Sequence, residues 1–329
     1  MTRRMTRKSQ AGFSLIELLV AMVATMVIAG AVFKLMTAGN SAFRREPELS
    51  DRQQQIRMGM SVIAEDILRA GAGMPHFMQI FENGLDGVGS MGSTGQNTDE
   101  IEMLTASDCP VLSVCSSPGT NVVTRQELSP CFSLPNVALL IDVDPPKVGA
   151  YWAEDPGAAT VASCSGSASA RNGHINLPPG QSDLNRPGGP GFDPDFLMVG
   201  AVARYRINVA ADGTPNLERS PTGGMDKDGT PWQVVARGVE DMQIEYLNGT
   251  AWNDEPGTVS CAASCANPTP ADYDTIVRKV RVRLSARALA PNLQGATTSA
   301  VGDAVRGELT SEFVPKAAGT ALQISGSEI

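Results

Sequence analysis

The chain has 329 residues, 42% of them hydrophobic and 5% aromatic, with a net charge of −9 at neutral pH. That length supports one large or two modest cores, and the acidic balance argues against a nucleic-acid partner, which needs a segregated basic face. Neither histidine, His76 or His174, stands beside a G-x-S-x-G elbow, so no Ser-His-Asp hydrolase is expected; the chain reads as a non-enzyme without a cofactor.

Arg3, Arg4, Arg7 and Lys8 precede an apolar stretch, Phe13 to Phe33, of 21 residues whose only formal charge is Glu17. As a helix it would span roughly 31 Å, enough to cross a bilayer. The basic residues keep the short N-terminus cytoplasmic and send the C-terminal bulk across the membrane. A secretory signal places its small residues after the apolar core, whereas Ala11-Gly12 come before it, so cleavage there would leave the helix on the mature protein. Glu17 is costly in lipid unless it finds a partner or reaches the interface, which marks it as a functional candidate.

The stretch GFSLIELLVAM, Gly12 to Met22, resembles the class III signal of type IV pilins and type II secretion pseudopilins. The resemblance implies that a prepilin peptidase/N-methyltransferase cuts between Gly12 and Phe13 and methylates Phe13. Glu17, then the fifth residue, would aid assembly by meeting the N-terminal ammonium of a neighbouring subunit; two charges desolvated together need each other. The expected organisation is a leader at 1–12, a transmembrane and assembly helix at 13–36, its amphipathic continuation at 37–75, and a periplasmic head at 76–329.

In the neck, Leu49, Ile56 and Ile63 interleave with Met60 and Ile67 at helical spacing, which predicts a face that lies on a sheet. Gly71 and Gly73, followed by Pro75, end this helix. Gly39 and Pro47 predict a kink or a short unwound stretch near residues 39–47. Many major pilins carry a proline in the membrane half where this chain has Lys34, so mid-membrane melting is not carried over.

Residues 83–98 read as a glycine-rich loop before a first strand near Glu100 to Thr105; no GKS or GKT follows, so phosphate cradling fails. Asn121 to Leu128 and Asn136 to Val143 read as strands, and 165–195 as a long surface loop. Strand character returns at Phe196 to Asn208, Trp232 to Gly238, Val239 to Leu247, Ile276 to Ala288 and Gly307 to Pro315. Alternation is clearest at Met242, Ile244 and Tyr246, and at Val280, Val282 and Leu284. The basic run Arg278 to Arg283 lies on such a strand and reads as its solvated face.

Cys109, Cys115, Cys131, Cys164, Cys261 and Cys265 all follow the apolar segment, where disulfides are expected. Sequence does not choose their pairing; bridging nearest neighbours would join Cys109 to Cys115, Cys131 to Cys164 and Cys261 to Cys265. Asp226-Lys-Asp228-Gly229 resembles the start of a calcium loop but lacks the third oxygen and the Glu at the twelfth position. A polar hairpin turn is expected, with Asp226 and Asp228 as the remaining metal candidates.

ARGVEDMQIEYLNG, then IVRKVRVRLSARA and a closing strand, resemble the C-terminal half of PilW-type minor pilins and the related pseudopilin J. Together these features lead to an α+β chain: a long N-terminal helix packed on an antiparallel β head with long loops and disulfides. The resemblance implies a minor pilin at or near a pilus tip that helps to prime assembly. Its partners would be the peptidase, other minor pilins and the major pilin, and the inner-membrane platform. A J-like secretion pseudopilin and an adhesin presented on long exposed loops are the alternatives.

Overall fold

The computed structural model describes residues 14–74, 78, 80–83, 98–116, 121–128, 130–132, 136–143, 146–153, 174–176, 194–221, 232–257, 259, 269–290, 293, 296 and 304–318. Helix α1 runs unbroken over Leu15–Arg69, about 80 Å at 1.5 Å per residue. The unwound stretch expected at 39–47 is therefore corrected: Gly39 and Pro47 both lie inside the helix. Pro47 lacks only its own N–H, and the helix-forming residues around it hold the flanking turns.

The first half of α1, Leu15–Thr37, is long and apolar enough to cross a membrane, and none of it is buried within the protein. Farther along, Ile56, Met60, Ile63, Ile67 and Ala70 are buried; their steps of four and three residues place them on one stripe. Gly59 lies beside that stripe, and a side chain there would meet Leu217 at 3.0 Å and Ala236 at 3.3 Å. The missing Cβ lets the helix backbone approach the head closely.

Gly71 ends the helix with φ +73, a left-handed value that suits glycine. Its N–H donates to the Leu104 carbonyl at 2.8 Å, and the Ala106 N–H donates to the Ala72 carbonyl at 3.0 Å. The chain is thus fastened to the sheet as soon as the helix stops.

The head contains β1 (Phe81–Asn83), β2 (Ile101–Ala106), β3 (Leu112–Ser116), β4 (Asn121–Thr124), β5 (Asn136–Val143), β6 (Pro146–Ala153), β7 (His174–Asn176), β8 (Phe196–Val209), β9 (Pro215–Ser220), β10 (Gln233–Arg237), β11 (Val239–Asn248), β12 (Ala251–Asn253), β13 (Val277–Arg287) and β14 (Arg306–Phe313). Two sequence expectations change here. The first strand is Phe81–Asn83, with Asn83 opposite Ile101, so position 83 belongs to a strand; 84–97 lie outside the described residues. Within the expected loop at 165–195, His174–Asn176 pairs with β4. Backbone hydrogen bonds alone can add so short an edge strand, which requires no apolar pattern.

The organising strand is β8. It pairs with β3 and β5 through its first half and with β2 and β9 through its second, every pairing antiparallel. The continuous apolar run of β5 follows from burial on both faces: Val137, Leu139 and Ile141 join the core beneath α1, while Ala138 and Leu140 join a second core with Leu112, Phe132 and Leu197. A separate sheet has the order β12-β11-β13-β14. Met242, Ile244 and Tyr246 of β11 and Val280, Val282 and Leu284 of β13 are fully or nearly fully buried in the core beneath α1. The amphipathic helix face therefore closes over both sheets.

Candidate functional site

The start of α1 is built on Ser14, an extended residue with φ −71 and ψ 143. Its carbonyl accepts the first helical hydrogen bond, from Leu18 N–H at 3.2 Å. Three residues on, Glu17 turns back so that its Oε2 accepts from the Ser14 N–H at 3.4 Å. A carboxylate in the first turn also complements the helix dipole. Leu15, Ile16, Leu18 and Leu19 around it are exposed. The result is an apolar rod bearing one acid at its tip, held by a single long hydrogen bond among the described residues. Gly12 and Phe13, the expected cleavage pair, lie outside the described residues.

At the other end the rod is locked to the head. Arg219 on β9 makes a two-point contact with Asp66 of α1, Nε to Oδ2 at 2.7 Å and Nη2 to Oδ1 at 3.2 Å. The Tyr205 hydroxyl of β8 donates to Asp66 Oδ2. Burial pushes the Tyr205 phenol above its ordinary value, and the Asp66 carboxylate adds to the effect. Lower on the helix, Arg52 donates to the Arg306 carbonyl at 2.6 Å, and Glu48 accepts from the Ala290 N–H at 3.2 Å. Arg306 in turn reaches the buried Glu240 of β11.

Sequence reasoning missed this lock. Its one available signal was Asp66, a charge between the buried positions Ile63 and Ile67.

The basic strand β13 is answered by acids. Arg281 lies 2.9 Å from Glu245 and 2.8 Å from Glu312, and its guanidinium sits 3.9 Å from the Trp252 ring centre. Beside them, burial raises the Asp99 carboxyl above the usual range, although the Ile244 N–H donates to it at 2.7 Å. Among the described residues, no group of three or more His, Cys, Asp or Glu side chains converges to hold a metal. Asp226 and Asp228 lie outside the described residues.

The nearest-neighbour disulfide expectation is corrected at Cys109, which bonds to Cys131 with Cα atoms 5.7 Å apart. Tertiary folding carries the loop after β2 past Cys115 to the segment before β5. Cys115 is also disulfide-bonded; Cys164, Cys261 and Cys265 lie outside the described residues.

The prokaryotic N-terminal methylation motif matches residues 7–33. This is a prepilin N-methylation motif. It covers Arg7 and Lys8, the Gly12-Phe13 junction, Glu17 and most of the apolar half of α1. No curated protein matches the chain. Among solved structures, a type IV-like pilin from Thermus thermophilus is similar at 12% identity over 81% of this chain and 97% of that one, with a TM-score of 0.35. The motif thus lies at the start of a long apolar helix that precedes an antiparallel β head.

Proposed function

We propose that this protein is a non-catalytic minor pilin of a type IV pilus, cleaved between Gly12 and Phe13, methylated on Phe13, and incorporated at or near the pilus tip, where it helps to prime assembly. The observation that carries this reading is the methylation motif at 7–33 on a fully exposed apolar helix whose one acid is Glu17. Among the described residues of the isolated chain, Glu17 has only the Ser14 N–H at 3.4 Å. The ammonium of a neighbouring subunit offers far better compensation in a dry assembly.

The head bears on where such a subunit sits. Two sheets and a second core make it bulky, which suits low copy number and an end position better than a repeating shaft. Before assembly the helix anchors the chain in the inner membrane with its head in the periplasm.

Deleting the gene in its host and scoring surface pili and secreted enzymes together tests this reading. Loss of pili with secretion intact is the expected result. Retained pili with enzymes trapped in the periplasm would replace it with a J-like secretion pseudopilin. Pili of normal number that no longer attach would indicate an adhesin. Within the same reading, Glu17→Ala is expected to be processed normally but to assemble poorly, and normal assembly would remove Glu17 from the mechanism.

A further inference from the structure

The apolar half of α1 contains a second charge that neither the methylation motif nor the assembly reading uses. Lys34 lies inside the Leu15–Thr37 span, three residues before its end, and its side chain is exposed. Among the described residues it has no hydrogen-bond or ion-pair partner. An ammonium cannot remain in hydrocarbon unpaired, and a lysine side chain near the end of a span extends toward the interface.

Distance along the helix shows where that interface falls. Glu17 and Lys34 are separated by seventeen steps, about 25 Å of rise. The hydrocarbon core is about 30 Å thick, and both side chains can reach outward beyond their own Cα positions. The two charges therefore bracket the core, one at each face.

Hydropathy alone would place the outer boundary farther along. Leu35 and Met36 are 72% and 65% exposed, and Phe43 is 80% exposed. Thr37 does not mark the boundary either. Its hydroxyl lies 3.1 Å from the Phe33 carbonyl and 3.0 Å from the Lys34 carbonyl, so its donor is satisfied within the helix.

We propose that Lys34 binds lipid headgroup phosphate and thereby sets how far the helix sinks into the membrane. The proposal rests on the membrane-spanning reading of α1. At 100° per residue, Lys34 lies on nearly the same helix face as Ile56 and Ile63, the face that carries the head. The Glu48 contact to Ala290 is about 21 Å farther along. With Lys34 at the phosphates, that contact between helix and head stands clear of the hydrocarbon core.

The test places the full chain in phosphatidylcholine and phosphatidylglycerol vesicles and labels single introduced thiols with a membrane-impermeant maleimide. Phe33→Cys, Met36→Cys and Asn40→Cys sample the boundary; no described cysteine is free to compete. With Lys34 present, position 33 is expected to be protected and positions 36 and 40 to label. Lys34→Leu should bury position 36 and leave 40 accessible, a shift of about one turn or 5 Å. Lys34→Arg should leave the boundary unmoved. In phosphate-free digalactosyldiacylglycerol vesicles, the parent should behave like the Lys34→Leu variant.

Equal labelling at position 36 with and without Lys34→Leu would overturn the proposal while leaving the span intact. A parent boundary indifferent to the loss of phosphate would overturn the ligand assignment. Labelling at all three positions in a chain that carbonate strips from vesicles would remove the membrane reading, and the proposal with it.

Discussion

Asp66 of the helix and Arg219 of β9 meet at 2.7 Å, with the Tyr205 hydroxyl hydrogen-bonded to the same carboxylate. The two side chains are 15% and 26% exposed, so their pairing is only partly screened by water. Asp66→Ala strips Arg219 of its carboxylate partner at the helix–sheet junction and leaves the Tyr205 hydroxyl its longer contact to the Val62 carbonyl at 3.3 Å. A loss of about 2 kcal/mol is expected, less than for a fully buried pair. Urea unfolding checks it, and a cycle with Arg219→Ala should show that the two losses do not add.

Tyr205 and Tyr246 are both shifted upward, chiefly by burial, with Asp66 adding for the first and Asp99 for the second. Folding therefore holds both phenols neutral beyond the ordinary tyrosine value of about 10. The sign follows: their contribution is complete below about pH 10 and is lost as pH rises further, because the unfolded chain ionises first. Denaturant midpoints should fall steadily above that pH, and absorbance titration should find two of the four tyrosines ionising only with unfolding.

Gly71 has φ +73, and a Cβ there would come within 2.3 Å of Ile80 and 2.4 Å of Ala317. Gly71→Ala combines backbone strain with overpacking where the helix joins β2. A loss of about 3 kcal/mol is expected. Thermal unfolding of this variant beside Gly213→Ala checks the cause: φ at Gly213 is +81 with open space around it, so that variant carries the strain without the clash and should lose less.

The Cys109–Cys131 bridge closes a loop with a sequence separation of 22. Replacing both with serine is expected to cost about 3 kcal/mol through the freer unfolded chain. Non-reducing peptide mapping should recover Cys109 joined to Cys131; a Cys109–Cys115 peptide in the native protein would contradict the structure.

Some elements were legible because their signal is local. Ile56, Met60, Ile63 and Ile67 recur at helical spacing, and Met242, Ile244 and Tyr246 alternate against polar neighbours, so neighbouring residues alone declare which side must be buried. The Gly12 to Met22 stretch, apolar apart from Glu17, likewise marked the beginning of the apolar helix that runs from Leu15. Short strands such as Phe81–Asn83 and His174–Asn176 were not legible, since three residues carry no period and form only where an edge strand offers its backbone.

By itself, the sequence determined an α+β chain with a membrane-length apolar helix, one acid near the start of that helix, and alternating strands in its C-terminal part. Tertiary structure alone decided that β8 joins four partner strands, that Cys109 passes Cys115 to reach Cys131, and that Asp66 locks onto Arg219. The physical reason is range. Periodicity reports how a residue relates to its chain neighbours, whereas these pairings join groups 22 to 153 residues apart, and which of them meet depends on how whole surfaces pack.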